Sequence, residues 1–206
     1  MPPLRRLSFA LLLLALTGCG LADYEKKMRE ADARVQRFDE ENRLLGDPLT
    51  LPTDHAPPVD VFLRPPRGVS KSGAADDPSH FAGGAGLCSD LYLLFGDAEG
   101  GKDKLEKQIA ERFGAAGLSW QTVTARPGLD LDAAEFADPR APVNTPAVFI
   151  AYAHQTSGRA PVGVVFHIAQ ANRAGVEPTL KASLASYAEA GDAAKARADF
   201  GKRTAH

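Results

Sequence analysis

This sequence is short of cysteine, of tryptophan and of any excess charge. It has two cysteines and one tryptophan in 206 residues, and its formal net charge is −2. Two cysteines are too few for a disulfide framework, and a slightly acidic balance argues against nucleic acid as a partner. The apolar run Phe9–Leu16 is far shorter than the roughly 20 apolar residues needed to cross a membrane.

Motifs for catalysis and metal binding are also missing. Neither G-x-S-x-G nor S-x-x-K occurs, and no two histidines have the spacing H-x-x-x-H or H-E-x-x-H. These spacings would expose a serine nucleophile on a turn or place two zinc ligands on one helix face. We therefore predict no catalytic, cofactor-binding or metal-ligating residue, and no cofactor. A triad built from distant residues leaves no such spacing, so a hydrolase remains an alternative.

The start of the chain carries the clearest signal. Arg5 and Arg6 precede the apolar run, which ends in Leu16-Thr17-Gly18-Cys19. A basic segment, an apolar segment and small residues before a cleavage point are typical of a secretory signal. The order leucine, threonine, glycine, cysteine at the end of that signal resembles the lipobox of bacterial lipoproteins.

The resemblance implies that residues 1–18 are removed and that Cys19 becomes an N-terminus carrying acyl chains, palmitate among them. Several chains anchor a protein durably, at about 0.8 kcal/mol per buried methylene, so the membrane is the first expected partner. Gly20 stands where an aspartate retains lipoproteins at the inner membrane. A glycine at this position therefore favours the outer membrane, facing the periplasm, in a cell with two membranes. The alternative is an ordinary signal peptide with Cys19 incidental.

Cys88 is the other cysteine, and lipidation of Cys19 leaves it without an intramolecular partner. It precedes an apolar segment, and no basic residue near it in sequence would lower the pKa of its thiol. We therefore predict a small buried side chain and not a nucleophile.

A charged segment with a heptad repeat follows the anchor. Its apolar positions run from Leu21 to Leu45 with alternating spacings of three and four, and Gly46 with Pro48 ends the pattern. This predicts a helix over residues 19–45, stabilised by i,i+4 pairs such as Glu25–Arg29. Side by side on a membrane, such helices would self-associate in parallel. The possible seam consists of Met28, Val35, Phe38, Asn42 and Leu45.

A single amphipathic helix, packed on its own domain or standing as a stalk, is the alternative to self-association. The repeat spans only about three and a half heptads, close to the minimum for a coiled coil. Residues 46–58 are rich in proline and predict a semi-rigid linker. The predicted order is therefore signal, anchored helix, linker and a domain over residues 59–206.

That domain is predicted to be α+β, with a mixed, mainly antiparallel sheet and two or three packed helices. One helix is expected at 102–116, one opening at Glu177-Pro178, and a short one at Asp192–Phe200. Residues 67–86 and 126–146 are expected to be loops, the second with one helical turn. Strands are predicted at Val59–Leu63, Leu91–Phe95, Leu118–Thr124, Ala147–His154 and Val162–Ala169, the last two as a hairpin.

One glycine-rich turn imitates a phosphate-binding loop. Gly96–Lys102 matches G-x-x-x-x-G-K after a strand and before a helix. Asp103 follows it, however, where a Ser or Thr would hold Mg²⁺, and Asp97 and Glu99 put negative charge where phosphates would lie. We interpret it as a strand-to-helix turn whose acidic residues favour the helix N-terminus.

Two further clusters have ordinary interpretations. The acidic residues Asp130, Asp132, Glu135 and Asp138 lack the close spacing and the glycine of a calcium loop, and we expect a solvated loop with a capped helical turn. Arg64, Arg67 and Lys71 form a basic cluster, which we expect to be a solvated loop.

The histidines include one pair on the predicted hairpin. His154 and His167 fall on its two adjacent strands and could approach each other, but zinc would need a third ligand that the sequence does not supply.

The sequence as a whole therefore favours a lipid-anchored cell-envelope protein with a non-catalytic binding or assembly role and an envelope protein as its unidentified partner. The first alternative is an envelope hydrolase with an unrecognised site. The second is a carrier of small molecules or lipids, with a cavity between the sheet and the helix that carries Leu105, Ile109 and Phe113.

Overall fold

The structure is a computed structural model that describes residues 4–50, 58–71, 77, 79–83, 87–115 and 117–204, with side chains from residue 22 onward. The chain divides into two compact units, Met1–Arg43 and Leu44–His206. In the part of the chain that is described, none of the helices combines the length and the apolar character that a membrane span requires.

The first unit contains all but the last residue of helix α1, Leu4–Leu44. The helix ends at Leu44, one residue before the predicted end at Leu45. Arg29 donates a hydrogen bond from Nη2 to the Glu25 carboxylate one turn earlier, at 3.5 Å. Both side chains are exposed, so this pair contributes only a few tenths of a kcal/mol, about 0.3–0.5.

The second unit is built on a seven-stranded antiparallel sheet. Its strands, in chain order, are β2 Val69–Lys71, β3 His80–Gly83, β4 Asp90–Phe95, β5 Gln121–Arg126, β6 Leu129–Ala137, β7 Ala147–His154 and β8 Val162–Ala169. Across the sheet the order is β2-β3-β4-β8-β7-β6-β5. The described sheet therefore ends on the short strand β2 at one edge and on β5 at the other.

Helices cover both faces of the sheet. They are α2 Gly101–Phe113, α3 Arg173–Ser186 and α4 Ala190–Thr204, with a 3₁₀ turn at Gln170–Asn172 before α3. On one face, α2 packs Leu105, Ile109 and Phe113 against β4, β7 and β8. On the other, α3 packs Val176, Leu180 and Leu184 into a larger core. Each helix repeats its buried residues every three or four positions, as one-sided packing requires.

A second, two-stranded sheet closes the domain beside α4. It pairs β1, Val61–Phe62, with β9, Ala188–Glu189, in antiparallel register. Phe62 and Ala188 form a small cluster with Ala193 of α4. Arg197 of α4 donates to the Asp60 carboxylate, one of the bonds being 2.8 Å long.

These elements confirm the predicted α+β class and its mainly antiparallel sheet, since each strand pair described is antiparallel. The β7–β8 hairpin has the predicted bounds. Helix α2 lies where the 3.6-residue periodicity predicts it. The packed layer under α2 leaves Leu105 and Ile109 with no exposed surface, so the cavity that a carrier would need there is filled by side chains.

Two predicted loops contain strands instead. Residues 67–86 hold β2 and β3, and residues 126–146 hold β6. The β5–β6 turn has Pro127 followed by Gly128 at φ +79, the residue order of a tight turn with a positive φ at its third position. Because β6 alternates buried Leu129 and Leu131 with outward carboxylates, its acidic residues belong to a strand and not to a loop with a helical turn.

Two local predictions also need correction. Helix α3 begins at Arg173, so Pro178 lies inside it and does not open it. Arg64 is only 4% exposed; its Nε donates to the Gly46 carbonyl at 3.1 Å, and its guanidinium lies 4.8 Å from the Phe200 ring centroid. The basic cluster is therefore not a solvated loop, because Arg64 is part of the packed interior. The side chain of Lys71 lies outside the described residues.

The predicted linker, residues 46–58, is only partly described. Gly46 and Leu49 donate backbone hydrogen bonds to the carbonyls of Pro65 and Leu63, at 2.8 and 2.9 Å. The first residues of the linker therefore pack on the second unit. Residues 51–57 lie outside the described part.

Candidate functional site

An open groove lies between α3 and strands β5 to β7. We call it the edge groove, because β5 is the edge strand of the sheet. Its volume is about 550 Å³, within the 300–1,000 Å³ range of small-molecule sites, but it is open along one side. The residues that decide its chemistry are Gln121, Val123, Glu135, Tyr152, Arg173 and Lys181.

Strand β5 presents its two faces to different neighbours. Thr122 and Thr124 donate hydroxyl hydrogen bonds to Asp132 and Asp130 of β6, at 2.9 and 2.6 Å. Because side chains alternate along a strand, Gln121 and Val123 point to the opposite face, into the groove. Residues 121–124 are all exposed, so the outer side of β5 is open to solvent.

The groove floor is apolar at its centre and charged at one wall. Burial raises the pKa of Tyr152 to about 12, so its phenol stays protonated. Arg173 donates from Nε to the Glu135 carboxylate at 2.8 Å, and this hydrogen bond raises the pKa of the guanidinium. Since these two charges are paired, the groove carries no large excess of either sign, and Val123 adds an exposed apolar surface.

A network of histidines and aspartates occupies the other face of the sheet, near the C-terminus of α2. Asp90 contacts two rings: Oδ1 is 2.7 Å from His80 Nε2, and Oδ2 is 3.1 Å from His167 Nδ1. The second nitrogen of His167, Nε2, is 3.1 Å from Asp138 Oδ2. The network therefore joins β3, β4 and β8 to the segment after β6.

This network lacks a nucleophile. Cys88 lies beside it and donates its thiol to the carbonyls of Asp90 and His167 at 3.1 and 3.6 Å. Burial, with the nearby Asp90 charge, raises the pKa of the thiol to about 12. The side chain is thus an inert thiol near neutral pH, and the prediction of a small buried cysteine is confirmed.

Aromatic packing fixes the two histidines of the network. The His80 ring stacks on Tyr92 at 4.7 Å between centroids, and the His167 ring stacks on Phe149 at 4.6 Å. Both rings are thereby held between a carboxylate and an aromatic face. We interpret the network as a structural crosslink of the sheet, because its rings are fixed and its carboxylates are paired. None of its four side chains lines the edge groove.

The turn that resembles a phosphate-binding loop is closed by its own neighbours. The Lys102 ammonium forms an ion pair with Asp132 of β6, and the backbone N–H of Lys102 donates to Gln155 Oε1 at 3.0 Å. In a P-loop the lysine and the helix N-terminal amides face phosphate. Here both are bound within the chain, in agreement with the prediction of a strand-to-helix turn.

Other predicted site residues are dispersed. His154 pairs with Val162 and His167 with Phe149, so the two histidines lie at opposite ends of the hairpin and do not approach each other. Across the residues the structure describes, no group of three histidine, cysteine, aspartate or glutamate side chains has a geometry suited to a metal ion.

The predicted seam is divided by the end of the helix. Met28 and Val35 are exposed on α1, at 46% and 59%, and Phe38 and Asn42 are half-buried. Leu45 follows the helix, is only 3% exposed and forms a bridge with Pro66. It therefore belongs to the second unit and not to a helix surface. The side chains of the lipobox, Cys19 included, lie outside the described residues.

No protein-family model matches this chain, and no curated protein matches it significantly. Sequence reasoning missed the edge groove because its residues come from four separate elements. The one available signal was the alternation of Leu129, Asp130, Leu131 and Asp132, which marks β6 as a half-exposed strand and hence β5 as its hairpin partner.

Proposed function

We propose that this chain is a lipid-anchored protein of the bacterial cell envelope whose domain binds another protein and catalyses no reaction. The lipobox resemblance at Leu16–Cys19 supports the anchor. Two features support binding over catalysis: the thiol and the phenol beside the histidine–aspartate network, those of Cys88 and Tyr92, both have raised pKa values, and the described lining of the edge groove offers no activated nucleophile.

The observation that carries the proposal is the exposed edge strand beside an open groove. A sheet edge presents unpaired backbone N–H and C=O groups, which an extended segment of a partner can pair with. Proteins commonly protect such an edge with lysine or proline, and Gln121–Arg126 contains neither. A register shift between Thr124 and Arg126 limits the regular edge to residues 121–124.

The proposed partner is an extended segment of an envelope protein, added to the sheet alongside β5. Main-chain hydrogen bonds would supply much of the affinity, and the groove would accept alternate side chains. Val123 and Tyr152 favour an apolar side chain at the centre, while Gln121 and Lys181 offer polar contacts at the rim.

Assembly through α1 is the second part of the proposal. Met28 and Val35 are exposed apolar residues on one heptad face. Lipid anchors at Cys19 would hold neighbouring helices parallel and at high local concentration, which favours weak parallel association. The seam proposed for the helix is Met28, Val35, Phe38 and Asn42.

Photo-crosslinking in cells tests the groove. A photoreactive residue replaces Lys181, and the chain also carries either Val123→Lys or, as a matched control, Val143→Lys. Val143 is 95% exposed and does not line the groove. We expect a discrete crosslinked adduct. Val123→Lys should reduce its amount at least about tenfold, because a charge on an edge strand opposes pairing with another strand, whereas Val143→Lys should leave its amount unchanged. Equal adducts in both variants, or none, would contradict the proposal.

A further inference from the structure

Another cavity lies beside the connection between β7 and β8. The β5–β6 turn, the segment after β7 and the β9–α4 junction line an open cavity of about 260 Å³. We call it the Glu189 pocket. The side chains that carry its chemistry are Arg126, Thr156, Arg159, Tyr187, Glu189 and Asp192. It shares no lining residue with the edge groove.

Glu189 is the buried centre of this pocket, only 9% exposed. One carboxylate oxygen accepts the Tyr187 hydroxyl, and the other accepts the Thr156 hydroxyl at 2.8 Å. Burial, and then the Glu189 hydrogen bond, raise the pKa of Tyr187, so the phenol remains a donor. The two hydroxyls fix the plane of the carboxylate, and each oxygen retains a lone pair for a further donor.

The backbone at this point is unusual. Ala190, directly after Glu189, has φ +51 and is the one described non-glycine residue with a positive φ. Its N–H donates to the Asp60 carbonyl at 2.7 Å, where β9 pairs with β1. A left-handed alanine is strained, and such residues cluster at functional sites when the surroundings hold them there. Here the strained residue joins β9 to α4, directly after Glu189.

Two guanidinium groups line the same cavity. Arg126 is fixed by a hydrogen bond from Nη2 to the Tyr187 carbonyl, at 3.1 Å. The Arg159 side chain makes no hydrogen bond or ion pair with another residue that the structure describes. Its guanidinium retains its fork of donors, which suits a carboxylate in bidentate geometry.

The charges of the pocket determine the class of ligand. Two arginines alone would suit a simple anion, but Glu189 and Asp192 line the same small space and would repel it. A ligand with both a carboxylate and an ammonium group satisfies both sets. The volume, about 260 Å³ and below the roughly 300 Å³ at which sites for drug-sized molecules begin, suits a small molecule.

We propose that the Glu189 pocket binds a small zwitterion, an α-amino acid. Its carboxylate pairs with Arg159 and Arg126, and its ammonium group donates to Glu189 and Asp192. This inference is independent of the edge groove, because the two sites share no residue. A ligand here would also join the β7–β8 connection to the β9–α4 junction.

Equilibrium dialysis of the full-length chain in detergent, with radiolabelled glycine, alanine or serine, tests the proposal. Propionate, which lacks the ammonium group, and ethylamine, which lacks the carboxylate, are the controls. We expect at least one of the amino acids to bind at least about tenfold more tightly than both controls, the factor that one charge-assisted contact supplies. Running L- and D-alanine in parallel shows which hand the pocket prefers.

Variants distinguish this pocket from binding elsewhere. Arg159→Ala should weaken amino-acid binding at least about tenfold, whereas Arg140→Ala, a change at an exposed arginine outside the pocket, should not. Glu189→Gln keeps the shape of the side chain and should weaken alanine more than propionate, and thermal melting checks that each variant is folded. Absence of amino-acid binding at millimolar concentration, equal binding of propionate, or no effect of Arg159→Ala would overturn the proposal.

Discussion

At the scale of single residues, the half-buried charges of the second unit form pairs that join separate elements. Lys102 of α2 pairs with Asp132 of β6, and Arg173 of α3 pairs with Glu135 of the same strand. The hydrogen bond between Lys102 and Asp132 raises the pKa of the lysine and lowers that of the aspartate. Both charged forms are therefore favoured by folding.

The Lys102→Met variant tests this pair, with Lys107→Met, an exposed position on the same helix, as the matched control. Lys102 and Asp132 keep 35% and 17% of their side-chain surface exposed, so solvent screening limits the expected loss to about 0.5–1 kcal/mol of unfolding free energy. Lys107→Met should change it by less than about 0.5 kcal/mol. Urea denaturation at pH 7 measures both values.

The same pair predicts a pH dependence with a defined sign. Folding lowers the Asp132 pKa below its ordinary 3.8, so the contribution is complete above pH 3.8 and is lost as the pH falls through the folded-state pKa. Folding raises the Lys102 pKa above 10.5, so the contribution is complete below pH 10.5 and is lost at still higher pH. The difference in unfolding free energy between the wild type and Lys102→Met should be constant from pH 5 to 9 and shrink towards pH 2. A difference independent of pH would contradict an ionic origin.

Residue-level contacts were the least predictable from sequence. His80, Asp90 and His167 form one network although His167 is 77 positions from Asp90, and only the order of strands in the sheet brings them together. Arg64 looks like a surface arginine in the sequence, and it is buried because Gly46 and Phe200 supply its partners from distant segments. Cys88 was predictable because its apolar surroundings are local in sequence.

At the scale of elements, predictability followed hydrophobic periodicity. Strands β7 and β8 are nearly continuous apolar runs buried on both faces, and α2 repeats Leu105, Ile109 and Phe113 on one side. Strand β6 was missed because its acidic residues suggested a loop or an ion site. The alternation of Leu129, Asp130, Leu131 and Asp132 at its start is what a half-exposed strand requires. Strands β2 and β3 are too short to leave a pattern.

Helix α1 gives a prediction at this scale. Val35→Asp places a charge on the proposed seam, whereas Gln36→Asp places the same charge on the neighbouring, outward position of the heptad. For a chain that begins at residue 20, we expect Val35→Asp to abolish self-association, because a buried unpaired carboxylate costs several kcal/mol, about 3–5. Sedimentation velocity over a range of concentrations measures the oligomer.

Gln36→Asp should leave that oligomer intact. If the wild-type chain sediments as a monomer at every concentration, or if both variants behave alike, the seam at Met28, Val35, Phe38 and Asn42 is not the contact.

At the scale of the whole molecule, a proposed anchor precedes a helix and an α+β domain that carries the edge groove and the Glu189 pocket. The fold class followed from predicted strands that outnumber the one predicted crossover helix. The two recessed surfaces did not follow from the sequence, because each is lined from several elements. The proposals for partner, orientation and compartment all depend on the anchor. If Cys19 carries lipid, neighbouring helices are anchored at the same end, which is the arrangement that the proposed parallel association and the proposed envelope partner both require.

Mass spectrometry of the N-terminal peptide, from the protein expressed in a bacterium and extracted from membranes, tests that central claim most directly. The account predicts a mature chain that begins at Cys19 and carries a thioether-linked diacylglycerol. A Cys19→Ser chain should lack this mass and leave the membrane fraction. A mature N-terminus at another residue, or an unmodified Cys19 within a longer chain, would contradict the account.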